Sequence, residues 1–491
     1  MALEADGERG GDMVALKRTG RPGPEYIEGG WQPQLERRVL APLAGTGPRY
    51  FLWLAFLIAV IGWAGFAYLQ QWRRGLIVTG MRDRISWGLY ITSFVFFIGI
   101  SHAGTLLSAI LRAVKATWQM SITRMAEFIT VVALIVGALF PLIDLGRPDR
   151  LWNIVVFGRW QSPLLWDLLA IATYLTGSTL YLYLPLVPDF ALCRDRLGPQ
   201  APAWQRHFFE IVALGWRGTP EQQRLLEHAM TIMMVVIIPV AVSVHTVISW
   251  IFSMSLREPF NSTVFGAYFV AGAIFSGIAA IIVLMAVLRR LLRLEAYITE
   301  RQFVNLGFLL AALALIMVYM NLSEYVTTGY KMNADTAVHF QQLMLGRFAG
   351  LFWFYIFGGL VVPGLIMLFP RTRTIRGVVV AATLVLVAMW IERYLIVVGG
   401  FSVPLMPYQP AQYAPTWVEW SILAGAFALF ALIISVFTKL FPVVSIWEVV
   451  EYHQLEAATA VHRPRHGRDR QSAREGTAAV PVTVLAQEAT Q

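Results

Sequence analysis

Cysteine is all but absent from this chain: Cys193 is the single thiol in 491 residues. One cysteine excludes disulfides within the chain, thiolate-held iron–sulfur clusters and zinc sites built on cysteine. Charge is scarce too. Asp, Glu, Lys and Arg make up 14% of the residues, against about 25% in an ordinary soluble domain. The GxxxxGK(S/T), HExxH and CxxCH patterns do not occur, so no phosphate loop, zincin or covalently attached haem is indicated. The first 49 residues are polar and rich in Gly and Pro, without the short apolar core and small-residue cleavage site of a secretory signal.

What the chain has in quantity is apolar surface. Hydrophobic residues account for 57% of it and the mean hydropathy is +0.60. A helix needs about 20 apolar residues to cross a bilayer. Ten segments qualify: 50–69, 86–112, 126–145, 161–185, 228–252, 264–293, 303–328, 348–369, 375–397 and 417–441. The net charge of +9 resides in the connections between them, the pattern of topology signals and lipid headgroup contacts rather than of a nucleic-acid surface. Connections 2–3, 4–5, 6–7 and 8–9 carry 15 Lys and Arg against 10 in the others, which places both termini in the cytoplasm. The basic tail, 455–491, reads as disordered and cytoplasmic.

The second and sixth segments resemble each other. WGLYITSFVFFIGI, Trp87 to Ile100, aligns with FGAYFVAGAIFSGI, Phe265 to Ile278, at an offset of 178. An even number of spans separates the copies, so the repeat is parallel. The expected fold is an all-α integral membrane protein of about ten transmembrane helices. Two four-helix bundles, spans 2–5 (86–252) and 6–9 (264–397), are flanked by peripheral spans 50–69 and 417–441, after the polar cytoplasmic segment 1–49. His102 falls opposite Ala280 in the repeat, so only the first copy carries that histidine.

Ionisable residues within lipid-length segments cost about 2.5–3.5 kcal/mol each at the bilayer centre and therefore face a protein interior. The first bundle holds four: His102 in GISHAGTLLSAIL, Asp144 in FPLIDLGRP, Asp167 in SPLLWDLLAIATY and His245 in VSVHTVISW. His102 lies about 24 Å along its span at 1.5 Å per residue; the other three fall in the outer half. Imidazoles and carboxylates so placed suit a two-proton, two-electron carrier such as a quinol, whose hydroxyls need acceptors that also take their protons. Each also has a plainer reading: a helix-to-helix hydrogen bond for either histidine, a loop cap or Arg147 partner for Asp144, a structural acid for Asp167. Arg124 and Glu127 read as an interfacial pair or the inner mouth of a proton path. Glu324 and the Glu392–Arg393 pair are the polar features of the second bundle, structural or on a proton route. His102 and His245 are the one pair on different spans that a single b-type haem could use.

The stretches SHAGTLLSAILRA, ITRMAEFITV, ALFPLIDLGRP, SPLLWDLLAIATYLTG, SVHTVISWIFSM and STVFGAYFVAGAIFSG together resemble the NrfD / polysulfide-reductase membrane-subunit family, and within it the ActC subunits of bacterial alternative complex III. The resemblance runs from about residue 86 to 290 and continues more weakly beyond. It implies a quinol site in the first bundle near the periplasmic side of the bacterial inner membrane, in a chain without haem or iron–sulfur cluster of its own. Menaquinol would be oxidised there and protons released. Electrons would pass to a molybdoenzyme-like iron–sulfur subunit and then to c-type haem subunits at the periplasmic face, with a second NrfD-like membrane subunit alongside. His102 matches the histidine of the family's HAG segment and Asp167 the aspartate of its SPLxWD segment. Asp144 stands where relatives often have histidine before Leu-Gly-Arg-Pro, which weakens its claim to be obligatory. A proton-coupled transporter using Asp144, Asp167 and His102, or a structural anchor with an empty pocket, are the competing readings.

Overall fold

In the computed structural model the described residues are 39–447, except 41, 44, 115–121, 198–201, 256, 258–259, 296 and 404–411. The expectations for residues 1–38 and for the tail 455–491 lie outside the described residues. Among the described residues ten helices are long and apolar enough to cross a membrane. They are numbered α1 to α10: Pro48–Arg74, Leu89–Ala113, Thr123–Asp144, Pro163–Tyr183, Pro220–Ser253, Phe265–Leu291, Glu300–Lys331, Ala349–Leu368, Ile375–Ser402 and Trp417–Leu440. Helices are what lipid demands of a single strand of chain, because each backbone N–H and C=O is satisfied within the segment. Among the described residues the only strand-like pairing is an isolated bridge between Arg82 and Ile85.

The packing follows the order expected from the sequence. Helices α2 to α5 close one ring of contacts, α6 to α9 a second, and α1 lies against α10 beside α3. The flanking pair is pinned by Trp53 Nε1 donating to Ser435 Oγ (3.0 Å) and Trp63 Nε1 to Ser421 Oγ (3.0 Å). Helices α2 and α6 form the shared wall between the rings. Residues 88–109 are buried without exception, so α2 has no lipid face over that length. Small residues make this possible. A Cβ on Gly104 would collide with the Ala126 carbonyl of α3, and one on Gly277 would collide with Ala103 Cβ of α2. The glycine of the His-Ala-Gly segment is therefore a helix-contact residue, of the kind that lets backbones approach in lipid.

Three details depart from the hydropathy reading. Helix α5 begins eight residues earlier than the apolar run, at Pro220, where Thr219 and Gln222 form a capping box. The connection at 186–227, with Cys193, is not an open loop. It contains helices Val187–Leu197 and Ala203–Val212, and Cys193 is buried. Lastly, α8 and α9 each include a π-helical stretch, Phe354–Val361 and Leu395–Gly399. The first precedes Pro363, whose ring clashes with the carbonyl one turn back in regular α geometry; a local π adjustment absorbs the misfit.

Candidate functional site

Helices α2 and α5 bring the two intramembrane histidines into contact, with ring centroids 4.0 Å apart. Both side chains are fully buried. Their surroundings differ. His102 Nε2 makes a short hydrogen bond to the Ala241 carbonyl of α5, and Nδ1 faces the Ile98 carbonyl at 3.3 Å. A carbonyl has two lone pairs, so Ala241 accepts from His102 in addition to its own helix partner. His102 thus cross-links α2 to α5. Both nitrogens of His245 lack a hydrogen-bond partner, although buried polar groups are nearly always paired. The haem reading needs the rings on opposite faces of a macrocycle, and here they touch.

Around the pair stand aromatic rings. Tyr174 of α4 lies 5.2 Å from His102, centroid to centroid, and Phe269 of α6 lies 5.5 Å from His245. Tyr174 OH donates to the Ser101 carbonyl (3.0 Å), which also accepts from Thr130 Oγ1 (2.8 Å). This fastens α2, α3 and α4 at the level of the histidines. Asp167 is on α4 seven residues before Tyr174, two turns or about 10 Å along the same face. It is 9% exposed, and its Oδ1 has no partner.

Asp144 closes α3, with an equally unpartnered Oδ1. It does not pair with Arg147, which instead binds Asp149 through Nε (3.0 Å) and Nη2 (2.8 Å). Gln71 of α1, which the sequence reading passed over, reaches this corner. Its Nε2 donates to the Ile143 carbonyl (2.8 Å) and its Oε1 accepts from Tyr90 OH (2.6 Å). Gln71 is 1% exposed, but it stands just past the apolar run 50–69 in the polar stretch QQWRR, so its local composition carried no signal of burial. Glu419 is another buried acid missed. It is fully satisfied, accepting from the Gly80 (2.6 Å) and Thr416 (2.9 Å) amides and from the Tyr413 hydroxyl, and so ties α10 to the segment preceding α2.

At the opposite end of α2 the expected Arg124–Glu127 pairing is absent. Arg124 binds Asp189, the Pro185 carbonyl (2.8 Å) and Ser445 Oγ (3.1 Å). Residues three apart share a helix face, yet Asp189 of the helix Val187–Leu197 takes Arg124 and Arg112 of α2 takes Glu127. Glu127 takes hydrogen bonds from Ser108 Oγ (2.5 Å) and Arg112 Nη2 (3.2 Å), and Tyr181 OH lies 3.4 Å from Ser108 Oγ. In the second bundle, Glu392 and Arg393 form a buried ion pair at 3.0 Å, 2% and 1% exposed. The Arg393 guanidinium stacks 4.6 Å above Phe269, the same ring that meets His245. The pair therefore sits behind the histidines, on the other side of α6. Glu324 Oε2 accepts from Ser262 Oγ at 2.5 Å, remote from them.

The structure thus assembles His102, His245 and Tyr174 directly and sets Asp167 two turns away on the Tyr174 face. Asp144 sits at the end of α3, within electrostatic reach of Tyr90 and Glu419. The arrangement offers unpaired acceptors and proton-carrying groups inside one helical ring, and among the described residues no group of three or more His, Cys, Asp or Glu is placed to hold a metal ion.

Comparison with known sequences places these residues in a wider set. The chain is 27% identical to a putative dimethyl sulfoxide reductase membrane protein of Halobacterium salinarum, over 83% of this chain and 94% of that protein. It is 22% identical to the Hdr-like menaquinol oxidoreductase integral membrane subunit of Archaeoglobus fulgidus, over 83% and 98%. With the menaquinone reductase integral membrane subunit of Nitratidesulfovibrio vulgaris it shares 21% identity over 80% and 92%. The sequence profile of the family described as polysulphide reductase, NrfD, matches residues 77–404, which span α2 to α9 with both histidines and both aspartates. This multi-pass integral membrane chain belongs to the NrfD polysulphide reductase family.

Proposed function

We propose that the chain is the quinol-oxidising membrane subunit of a multi-subunit oxidoreductase, with menaquinol as substrate, bound at the α3–α4 end of the first bundle. The observation that carries this reading is that buried polar atoms of the first bundle lack hydrogen-bond partners: both nitrogens of His245, Oδ1 of Asp144 and Oδ1 of Asp167. Intramembrane groups left without partners await a ligand. Relatives named for menaquinol and menaquinone chemistry support the same assignment.

In this mechanism each molecule of quinol yields quinone, two protons and two electrons. Asp167 and Asp144 accept hydrogen bonds from the quinol hydroxyls and take their protons. His245 holds a proton in transit, its ring oriented by contact with His102, which the Ala241 carbonyl fixes in place. The chain has no cysteine-built cluster to receive electrons. They leave to an iron–sulfur, molybdoenzyme-like partner at the periplasmic face and onward to c-type haem subunits, as in alternative complex III. A second NrfD-like protein makes up the rest of the membrane part, and the membrane is the bacterial inner membrane with both termini cytoplasmic. Of the inner proton-route candidates, Glu127 with Ser108 and Tyr181 is the better placed, because Arg124 is held by Asp189.

The test is quinol:acceptor reductase activity of the purified complex carrying His245→Ala or Asp167→Asn, with haem and iron–sulfur content checked for assembly. Loss of a proton-transfer group costs about 10²–10⁴-fold, so activity should fall at least about 100-fold in assembled complex. Full activity in both variants would leave the chain as an anchor or transporter.

A further inference from the structure

The second bundle contains a cavity that quinol oxidation in the first does not use. It has an empty volume of about 750 Å³ counting its open mouth. It lies at the end where α6 and α8 begin and α7 and α9 finish, under the short helix Ala334–Met344. Because α2 and α6 run in the same direction, this is the end of the molecule at which Asp144 and Asp167 sit in the first bundle. Apolar and aromatic residues form the walls, among them Phe265, Phe340, Leu343 and Ile396.

Both donors and acceptors line it, and the Ser262 and Thr328 hydroxyls already donate to Glu324. Glu324 and Glu392 contribute carboxylates from α7 and α9. His339, 8% exposed, uses one ring nitrogen on the Gly399 backbone and leaves Nδ1 without a partner. Tyr268 and Tyr355 hydroxyls lie 3.0 Å apart, and Asn321 Nδ2 donates to Tyr355 OH at 2.8 Å, fixing both phenols. Tyr268 occupies the repeat position of Tyr90, offset by 178, so corresponding tyrosines mark corresponding corners of the two bundles.

The walls carry a second, independent mark. Both π-helical stretches among the described residues border this cavity, giving it Tyr355 from α8 and Leu395 and Ile396 from α9. Wide turns of this kind are frequent at functional sites; Pro363 accounts for the one in α8, so the one in α9 is the independent mark. Binding pockets for small molecules are largely apolar, with a few convergent polar groups that fix orientation. A ligand for this one needs a flat apolar body and hydrogen-bond donors to meet carboxylates and an imidazole acceptor.

We propose that this cavity is a second binding site, separate from the histidine pair, for a hydroquinone headgroup, whose hydroxyls donate to Glu324 or Glu392 and to His339 Nδ1. A hydroquinone combines a flat ring with two opposed hydroxyl donors, and a bilayer supplies it laterally. The choice of hydroquinone over other flat donors rests on the reading of the first bundle as a quinol site, whereas the existence of the second pocket does not. No electron leaves the molecule here; the site stores or admits the ligand.

The experiment is equilibrium binding of 2-methyl-1,4-naphthoquinol to the full chain in lipid nanodiscs under reducing conditions, read as equivalents bound per chain. Two equivalents are expected. Asn321→Leu and Leu343→Trp, tested separately and checked for monodisperse elution and helical content, should each remove one equivalent. His245→Leu should remove the other. Photolabelling of the unaltered chain with an azido-naphthoquinone should mark peptides within 321–343 as well as peptides of α4 or α5, which needs no variant to fold. A single equivalent lost in His245→Leu but kept in Asn321→Leu and Leu343→Trp would overturn the proposal and leave the first site standing. A single equivalent with the reverse response would support the second site and sink the first. No binding and no label would refute both.

Discussion

Removing one half of the Glu392–Arg393 pair tests whether the bundle interface holds a true buried charge. Both residues are almost completely excluded from surface, at 2% and 1% exposure, and the charges are 3.0 Å apart. Breaking such a pair from one side typically costs about 3–5 kcal/mol, because the remaining charge is left buried and alone. Arg393 also loses its position over Phe269, a contact worth up to about 2 kcal/mol when desolvated. Arg393→Met keeps most of the volume and should therefore destabilise by about 3–5 kcal/mol. Glu392→Gln alone should cost somewhat less, since the amide still accepts from Arg393. The double variant leaves no charge buried and should therefore cost less than the two single losses added together. The measurement is unfolding in mixed micelles by titrated denaturing detergent, followed by tryptophan fluorescence, in a full double-mutant cycle. If Arg393→Met costs less than about 1 kcal/mol, or if the two single losses simply add, the pair is solvated and the inference fails.

Other outcomes are equally definite. Gly104→Ala should prevent close packing of α2 on α3, since its Cβ would press on the Ala126 backbone carbonyl; overpacking costs of about 1–3 kcal/mol or more should appear as a lower thermal midpoint, and an unchanged midpoint would mean that the helices are farther apart. Gln71→Leu removes hydrogen bonds to Tyr90 and the Ile143 carbonyl, so quinol affinity should weaken with assembly intact; equal affinity would detach that corner from the site. Burial pushes the His339 imidazole down to about 4, against the opposing effect of its hydrogen bond to Gly399. As pH falls the unfolded chain takes up this proton first, near 6.5, while the folded chain resists until about 4. Stability is thus full above about pH 6.5 and declines toward pH 4, by about 3 kcal/mol at about 1.4 kcal/mol per unit. His339→Gln should flatten that slope in thermal midpoints measured across the range, with Glu324, Glu392, Tyr268, Tyr325 and Tyr355 left as the remaining titratable groups around the cavity. An unaltered slope would detach the pH dependence from His339.

The parts of the fold that were legible from the residues were those that hydropathy dictates. A run such as 86–112 has only one way to satisfy its backbone in lipid, so its existence as a helix follows from composition alone. The parity of spans between Trp87 and Phe265 then fixes α2 and α6 as parallel partners. Polar pairing was less legible, because it depends on which element comes nearest in space. Arg124 and Glu127 are neighbours in sequence, yet Asp189 and Arg112 reach them first. Asp144 and Arg147 looked like partners until the turn after α3 brought Asp149 closer. Amphipathic segments outside the bilayer were also under-read: Val187–Leu197 and Ala203–Val212 carry too many charges to register as spans, although they bury Asp189 and Phe209.

The candidate site shows the same division at finer scale. That His102, Asp144, Asp167 and His245 lie inside spans was plain from the sequence, but their division of labour was not. His102 seemed the chemical residue because it stands in a distinctive motif and has no counterpart at Ala280. In the fold its nitrogens face the carbonyls of Ile98 and Ala241, whereas His245, in a less distinctive setting, keeps both nitrogens unpartnered. A motif reports that a position is constrained, and a cross-link between α2 and α5 constrains a residue as firmly as chemistry does. The second-bundle cavity was illegible for the opposite reason. Its polar residues are scattered over α6, α7, α8 and α9 and the short helix between α7 and α8, and only those of α7, Asn321 to Thr328, lie close in sequence. Only the wide turns of α8 and α9 bring Tyr355, Leu395 and Ile396 to one wall, and nothing in local composition announces a π-helical turn except, in α8, the proline that follows it.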